Sequence, residues 1–167
     1  NTKIAMAAHW RGAQIADDYC YMHVSRPGYT GISSVGRDRA NVVLVVNHQS
    51  MRGENPEKFY LDAVMRNCHR RKILQDAECI ESVRAIDSLA FSVKPVTCGG
   101  LLLVGDAMGF IDPFTGEGIY LSLRSSEIAV EVADQAFKKS DWSVETLKDY
   151  EVRRRQEFDK KFLLSRI

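Results

Sequence analysis

The order of hydrophobic and polar positions changes character along the chain. In the first half, residue types alternate with the period of two that β-strands show, because successive side chains in a strand point to opposite faces. The alternation covers Tyr19 to Val24, Tyr29 to Val35 is a second short strand candidate, and a β-branched run follows from Ala40 to Asn47. Short polar turns separate the three segments. The pattern therefore predicts an antiparallel meander.

Three other apolar segments are less regular. Residues 3 to 10 fit either a strand or a short helix, because periodicity alone does not separate the two. The apolar positions between Glu81 and Lys94 predict one more extended stretch. Residues 101 to 104 are apolar at every position, as in a strand that is buried on both faces.

Helical spacing dominates elsewhere. Residues 54 to 56 form a helix-start signal, and the basic run at residues 69 to 72 is interpreted as a solvated helix end. A long helix follows Ile119, and its apolar residues form two stripes, so it is expected to be largely buried. The stripes are Ile119, Leu123, Val130, Ala133 and Phe137, and Leu121, Ile128, Val132 and Ala136. Residues 143 to 167 predict a surface helix that packs along Leu147, Tyr150, Phe158 and Phe162.

Composition narrows the class of protein. The 167 residues are 45% hydrophobic with a formal charge of +1, which allows a sizeable core and offers no electrostatic argument for nucleic-acid binding. The apolar runs fall far short of the roughly 20 residues of a membrane-spanning helix. Four dispersed cysteines without a CxxC pair favour reduced thiols in a cytoplasmic protein and indicate no metal site. The start at Asn1 indicates a piece of a longer polypeptide, with a secretory peptide absent or removed.

Residues 101 to 123 contain the strongest candidate for a functional site. In this segment a short apolar strand is predicted, then a glycine-rich connection, and then the start of a helix. Asp106 stands where a carboxylate accepts hydrogen bonds from sugar-type hydroxyls. Gly105 and Gly109 are expected to leave room for a ligand, and residues 116 to 118 open a helix whose N-terminus favours negative charge. By spacing alone, a cofactor site and a ligand-free strand, cap and turn fit equally well.

The stretch "GDAMGFIDPFTGEGI", residues 105 to 119, resembles the GD motif of FAD-dependent oxidoreductases with the para-hydroxybenzoate hydroxylase type of fold. It looks most like the geranylgeranyl reductase group and the neighbouring flavin-dependent halogenases and monooxygenases. The resemblance implies that FAD is bound by Gly105, Asp106, Ala107, Gly109, Pro113, Gly116, Glu117 and Gly118. Met108 stands where alanine is usual, and it is expected to alter the packing against the cofactor. No catalytic side chain is assigned.

The resemblance also implies an architecture. The fold is expected to be α+β, with an antiparallel sheet of a substrate domain in residues 1–97. Residues 98–139 would be the last strand and helix of an FAD-binding domain, and residues 140–167 a C-terminal helix. Family members also carry a GxGxxG run that binds the ADP half of FAD, and this chain has none. We therefore expect the C-terminal portion of a longer flavoenzyme, which binds FAD poorly by itself.

The function that the resemblance implies is transfer of hydride or oxygen through the flavin to a small, hydrophobic substrate. The electron donor would be NAD(P)H or another reductant. The alternatives are a flavin-dependent monooxygenase, a flavin-dependent halogenase or a noncatalytic interaction domain. The sequence lacks the WxWxIP motif that is typical of the halogenases. Peripheral membrane contact through the basic patches near Phe158 and Phe162 stays open, but an ordinary charged helix face is favoured.

The histidines are scattered along the sequence and indicate no catalytic arrangement. His23 is the histidine with the best claim to a functional role. With Tyr19 and Tyr21 it occupies every second position of a predicted strand, so the three side chains share one face, which would front the substrate. The segment His9 to Gly12 is interpreted as packing with a surface charge rather than as a flavin contact.

Overall fold

The alternating segments of the first half form one antiparallel sheet. The computed structural model describes residues 3–51, 53–89, 91–110 and 112–164, and for residues 88, 92 and 162–164 it describes the backbone alone. Its strands are β1 (Lys3–Arg11), β2 (Cys20–Ser25), β3 (Gly28–Ser34), β4 (Arg39–Asn47), β5 (Glu78–Cys79), β6 (Arg84–Leu89), β7 (Phe91–Ser92), β8 (Thr97–Cys98), β9 (Leu101–Leu102) and β10 (Gly109–Phe110). Its helices are α1 (Pro56–Arg66), α2 (Cys68–Leu74), α3 (Gly118–Lys139) and α4 (Val144–Leu164), with 3₁₀ turns at His48–Met51, Gly105–Met108 and Pro113–Thr115.

Contacts between residues divide the chain into two compact units, 1–89 and 90–167. The α+β class is confirmed, since one unit is built on the antiparallel sheet and the other mainly on α3 and α4. The predicted domain boundaries at 97/98 and 139/140 stay predictions.

In the first unit, strand order is β2-β3-β4-β1, and β5 and β6 both pair with the remaining edge of β1. The predicted meander is confirmed, because β2, β3 and β4 pair antiparallel in sequence order. The open choice for residues 3 to 10 is settled as a strand by the nine-residue register of β1 with β4. One face of this sheet packs against α1 and α2. The buried core on that face includes Ile4, Met6, Ala8, Trp10, Ile32, Val42, Leu44, Val46, Tyr60, Val64 and Leu74.

Asparagine caps start both helices of the first unit. The Oδ1 atom of Asn55 accepts hydrogen bonds from the backbone N–H groups of Glu57 and Lys58, at 3.0 and 3.1 Å, and Pro56 occupies the first helical position. Asn67 caps α2 in the same way. These caps satisfy N–H groups that have no partner inside a helix.

The basic run at residues 69 to 72 is solvated at His69, Arg71 and Lys72, as expected, but not at its second residue. It lies within α2, and Arg70 is fully buried. Its guanidinium donates from Nε to the carbonyl of Val64 at 2.9 Å, and from Nη2 to that of Ala63 at 2.7 Å. Nη1 donates to Ser25 Oγ at 2.9 Å. The two carbonyls belong to the last turn of α1, so Arg70 caps the negative end of that helix.

The predicted buried strand at residues 101 to 104 is wrong. Only Leu101 and Leu102 form a strand, which pairs antiparallel with β8, and Leu101 is 49% exposed. Leu102, Leu103 and Val104 are half-buried against the core of the second unit, and within the described ranges no parallel strand flanks the segment. The single extended stretch expected over residues 81 to 94 is likewise divided into β6 and β7.

In the second unit, α3 packs on α4 along only one of its two apolar stripes. Leu121, Ile128, Val132 and Ala136 are buried. The other stripe is exposed, which corrects the expectation of a largely buried helix; its exposed members are Ile119, Leu123, Val130 and Phe137. On α4, Leu147, Tyr150 and Phe158 are buried as predicted, and the side chain of Phe162 lies outside the described residues.

Candidate functional site

A cavity of about 200 Å³ lies in the second unit, between the 3₁₀ turn at Gly105–Met108 and the start of α3. Its lining residues are Asp106, Gly109, Phe110, Asp112, Pro113, Thr115, Gly116, Glu117, Gly118, Ile119 and Leu121. Most residues that the motif singled out therefore meet at one place, but Gly105 and Ala107 do not line the cavity. Small-molecule sites usually have roughly 300–1,000 Å³, so this cavity has room for one part of a dinucleotide rather than for all of it.

Close packing against α3 explains why residue 105 is a glycine. Its φ of +56° lies in the left-handed region, and a Cβ there would stand 2.8 Å from Ser122 Oγ. Its N–H donates to Oγ of the fully buried Ser125 at 2.9 Å. The space beside Gly105 is thus filled by the protein itself, whereas the sequence interpretation left it for a ligand.

Asp106 presents an open carboxylate to the cavity. The side chain is exposed, and across the described ranges it has no hydrogen bond or ion pair with another residue. Its backbone oxygen accepts from the N–H of Gly109, which closes the 3₁₀ turn. The carboxylate oxygens therefore remain available as acceptors for a ligand hydroxyl.

Met108 does not touch the cavity, contrary to the expectation from its unusual place in the motif. It is 2% exposed and packs in the core of the second unit, with its sulfur 3.8 Å from Tyr150 Oη. The Met108 side chain therefore lies on the inner side of the turn.

Hydrogen bonds within the segment stabilise the loop between Asp112 and Gly116. Asp112 Oδ1 accepts from the N–H of Phe114 at 3.0 Å, and Pro113 starts the short 3₁₀ turn. Gly116 ends that turn in the left-handed region, at φ +69°, and its N–H donates to the carbonyl of Pro113. A Cβ on Gly116 or Gly118 would meet no atom within 4 Å, so the main chain there borders open space.

The N-terminus of α3 opens onto the cavity without a side-chain cap. Glu117 is the N-cap residue, but its carboxylate makes no capping hydrogen bond and pairs with Lys161 Nζ at 3.3 Å. The N–H groups of the first turn and the positive end of the helix dipole are therefore left for a negatively charged or electron-rich group.

Two histidines of the first unit, His9 and His23, have partners within that unit. His23 lies with Tyr21 on the core-facing side of β2, their rings stacked at 6.5 Å, and burial together with Arg70 and His69 lowers its pKa. That this strand face fronts a substrate stays a prediction. His9 Nδ1 lies 2.6 Å from Glu81 Oε1, and the hydrogen bond from His9 lowers the pKa of Glu81.

Trp10 is a packing residue, as expected. It is 4% exposed, and its Nε1 donates to Tyr60 Oη at 3.0 Å. Tyr60 in turn donates to the carbonyl of Val42 at 2.9 Å, and burial raises its pKa.

Neither a metal centre nor a membrane span is present in the described part of the chain. No three His, Cys, Asp or Glu side chains there converge as metal ligands. No helix in those ranges is both long and apolar enough to cross a bilayer. The four cysteines are unpaired.

Sequence reasoning missed three groups of residues around the cavity. Asp112 lines it and caps the following turn, and the Asp-Pro pair was a readable cap signal. Ser122 and Ser125 support the turn at Gly105, which no spacing rule indicated. Lys161 reaches Glu117 across 44 positions of sequence, so no local pattern could have shown the pair.

The chain matches no family model. A crystal structure of a geranylgeranyl bacteriochlorophyll reductase-like protein from Thermoplasma acidophilum superposes with a TM-score of 0.80 at 26% identity, over 97% of this chain and 41% of that one. The myxobacterial chondrochloren halogenase, an FAD-dependent halogenase, superposes with a TM-score of 0.84 at 16% identity, over 97% of this chain and 40% of that one. The chain therefore has the fold of the FAD-dependent oxidoreductases that its motif resembles.

By sequence, the chain is similar to one group of reductases. The chain is 38% identical over 144 residues to the digeranylgeranylglycerophospholipid reductase of Methanocaldococcus jannaschii, a match that covers 86% of this chain and 35% of that protein. By sequence, the chain is homologous to part of the digeranylgeranylglycerophospholipid reductases. It spans about a third of the length of the curated relatives it matches.

Proposed function

We propose that the protein is an FAD-dependent reductase of isoprenoid double bonds and that this chain supplies part of its flavin site. The observation that carries the proposal is the match to the Methanocaldococcus reductase. Because that match covers 86% of the chain, it includes residues 105–118 wherever it begins. The halogenase is only 16% identical and shares the fold alone, so the reductase is preferred over halogenation, oxygen insertion or a noncatalytic role.

The residues around the cavity fit a flavin. Asp106 offers free acceptors for a ribityl or ribose hydroxyl, while Gly116 and Gly118 leave main chain bare where a planar ring needs close approach. The uncapped start of α3 suits the N1/C2 edge of the ring, which carries negative charge when the flavin is reduced. FAD, when bound, supplies the hydride chemistry, and the residues of this chain bind and orient it.

Substrate, donor and location follow from the same proposal. The substrate is a hydrophobic small molecule with isoprenoid chains, and the reducing equivalents come from NAD(P)H or another donor. The four unpaired cysteines are compatible with a reducing, cytoplasmic location.

An absorption spectrum of the complete encoded protein tests the proposal first. Flavin bands that stay with the protein after gel filtration are expected. With the flavin reduced in the absence of oxygen, a geranylgeranylated glycerophospholipid should reoxidise it and gain hydrogen across its double bonds, as measured by mass spectrometry. A protein that stays colourless after addition of FAD would overturn the assignment.

Asp106→Ala should weaken FAD binding in the complete protein by about 1.5–3 kcal/mol, the value of a hydrogen bond to a charged group. That range corresponds to a dissociation constant about 10- to 150-fold higher, measured by flavin fluorescence titration. Asp134→Ala, which removes an exposed carboxylate farther along α3, is the matched control and should leave the constant unchanged. Equal affinity in the Asp106 variant and the wild type would remove Asp106 from the site.

A further inference from the structure

One ionic cluster ties α4 to the start of α3, beside the cavity. Lys161 Nζ lies 3.3 Å from the Glu117 carboxylate and 4.0 Å from the centre of the Tyr120 ring, within cation–π range. Tyr120 Oη donates to Glu157 Oε1 at 2.7 Å, and the guanidinium of Arg124 contacts the same carboxylate at 3.4 Å. Two residues of α3 and its N-cap residue are thereby held by two residues of α4.

Glu117 connects this cluster to the cavity. Within the described chain, the charged residues that line the cavity are Asp106, Asp112 and Glu117, all of them acids. A negative group at the start of α3 would be attracted by the helix dipole and repelled by the Glu117 carboxylate. Lys161 opposes that repulsion because it pairs with Glu117.

The cluster holds Lys161 in place better than a single surface pair would. The ammonium group has two partners, a carboxylate and a ring face, which both belong to the first turn of α3 or its cap. The hydrogen bond from Tyr120 lowers the pKa of Glu157, so Glu157 stays ionised and keeps Tyr120 oriented. The side chains of Lys161 and Glu117 are 35% and 33% exposed, so solvent screens the pair and its effect is modest.

We propose that Lys161 is a positioning residue of the flavin site, which neutralises Glu117 and orients the N-terminus of α3 so that the cavity accepts the anionic, reduced form of the flavin. This inference rests on the proposed function. It adds that α4 influences the redox balance of the bound cofactor. None of the described residues of α4 lines the cavity, so this influence is indirect.

The test is Lys161→Met in the complete protein, with dissociation constants measured for oxidised FAD and, without oxygen, for reduced FAD. Methionine keeps an aliphatic stem over Tyr120 and removes the charge. The ratio of the reduced to the oxidised constant should rise about two- to fivefold, the range of an exposed ion pair, and the midpoint potential should move to more negative values.

Three variants separate this effect from a general structural one. Lys161→Arg keeps the charge and should restore the wild-type ratio. Lys138→Met breaks an ion pair with Asp134 at the far end of α3 and should leave the ratio unchanged. Glu117→Gln should lower the ratio, because the carboxylate that repels the reduced flavin is gone.

The outcomes distinguish the inference from the function on which it rests. If the wild type binds FAD and the Lys161→Met ratio equals that of Lys138→Met, the inference is overturned and the proposed function stands. If the wild type binds neither oxidised nor reduced FAD, both are overturned. A selective rise in the ratio that arginine reverses supports the inference.

Discussion

Gly28→Ala should destabilise the first unit by about 4 kcal/mol or more, because the added methyl group would overlap the backbone of the neighbouring strand. A Cβ on Gly28 would stand 2.0 Å from the backbone oxygen of Val45 and 3.0 Å from the Cα of Val46. Gly28 is paired with Val46 in the register of β3 and β4, so the overlap is relieved only if the two strands separate. The main chains of β3 and β4 therefore need glycine at this point.

Gly31→Ala is the matched control, since Gly31 lies on the same strand. The nearest atom to its Cβ is the terminal methyl of Met22, at 4.0 Å, so alanine should be accommodated with little change in stability. The measurement is denaturant-dependent hydrogen exchange of the β3 and β4 amides in the complete protein. Similar protection in the two variants would show that Gly28 is not required for close approach.

Arg70→Met should lower the free energy of unfolding of the first unit by about 3 kcal/mol. Methionine has nearly the same length but donates nothing, so the carbonyls of Ala63 and Val64 and the hydroxyl of Ser25 lose their buried donor. Across the described ranges no carboxylate pairs with Arg70, and burial lowers its pKa. Its charge is stabilised mainly by the negative end of α1.

The neighbouring Arg71→Met serves as control. Arg71 Nε also reaches a carbonyl of α1, that of Met65 at 3.0 Å, but it is exposed, so water replaces the lost donor and the cost should stay below about 1 kcal/mol. Hydrogen exchange of the α1 amides in urea measures both variants. Equal losses at the two positions would contradict the capping role assigned to buried Arg70.

Local rules predicted the regular elements of the first unit well. Alternation, turn signals and a β-branched run placed β2, β3 and β4 within a residue or so of their observed bounds, and Asn55 with Pro56 marked the start of α1. These features depend on neighbours in sequence, because strand alternation and helix capping act over a few residues. The prediction for residues 101 to 104 was wrong because a short apolar run alone does not show how far a strand extends or whether both of its faces are covered.

At the cavity, the motif identified most of the lining but not the reason for each glycine. Gly105 and Gly116 look equivalent in the sequence, and both have positive φ. The structure separates them, because Ser122 occupies the side of Gly105 and open space borders Gly116. Which side of a glycine is filled is a tertiary property.

By itself, the amino-acid sequence determined the α+β class, the antiparallel meander, the start of α1 and the resemblance to flavin-dependent oxidoreductases. These depend on periodicity, caps and a contiguous motif, all of which are local. Only the tertiary structure decided which stripe of α3 is buried, that Arg70 caps α1 from inside the core, and that Lys161 reaches Glu117. Such contacts join residues on different helices, or select one of two equivalent helix faces, and their energies depend on burial and distance in space.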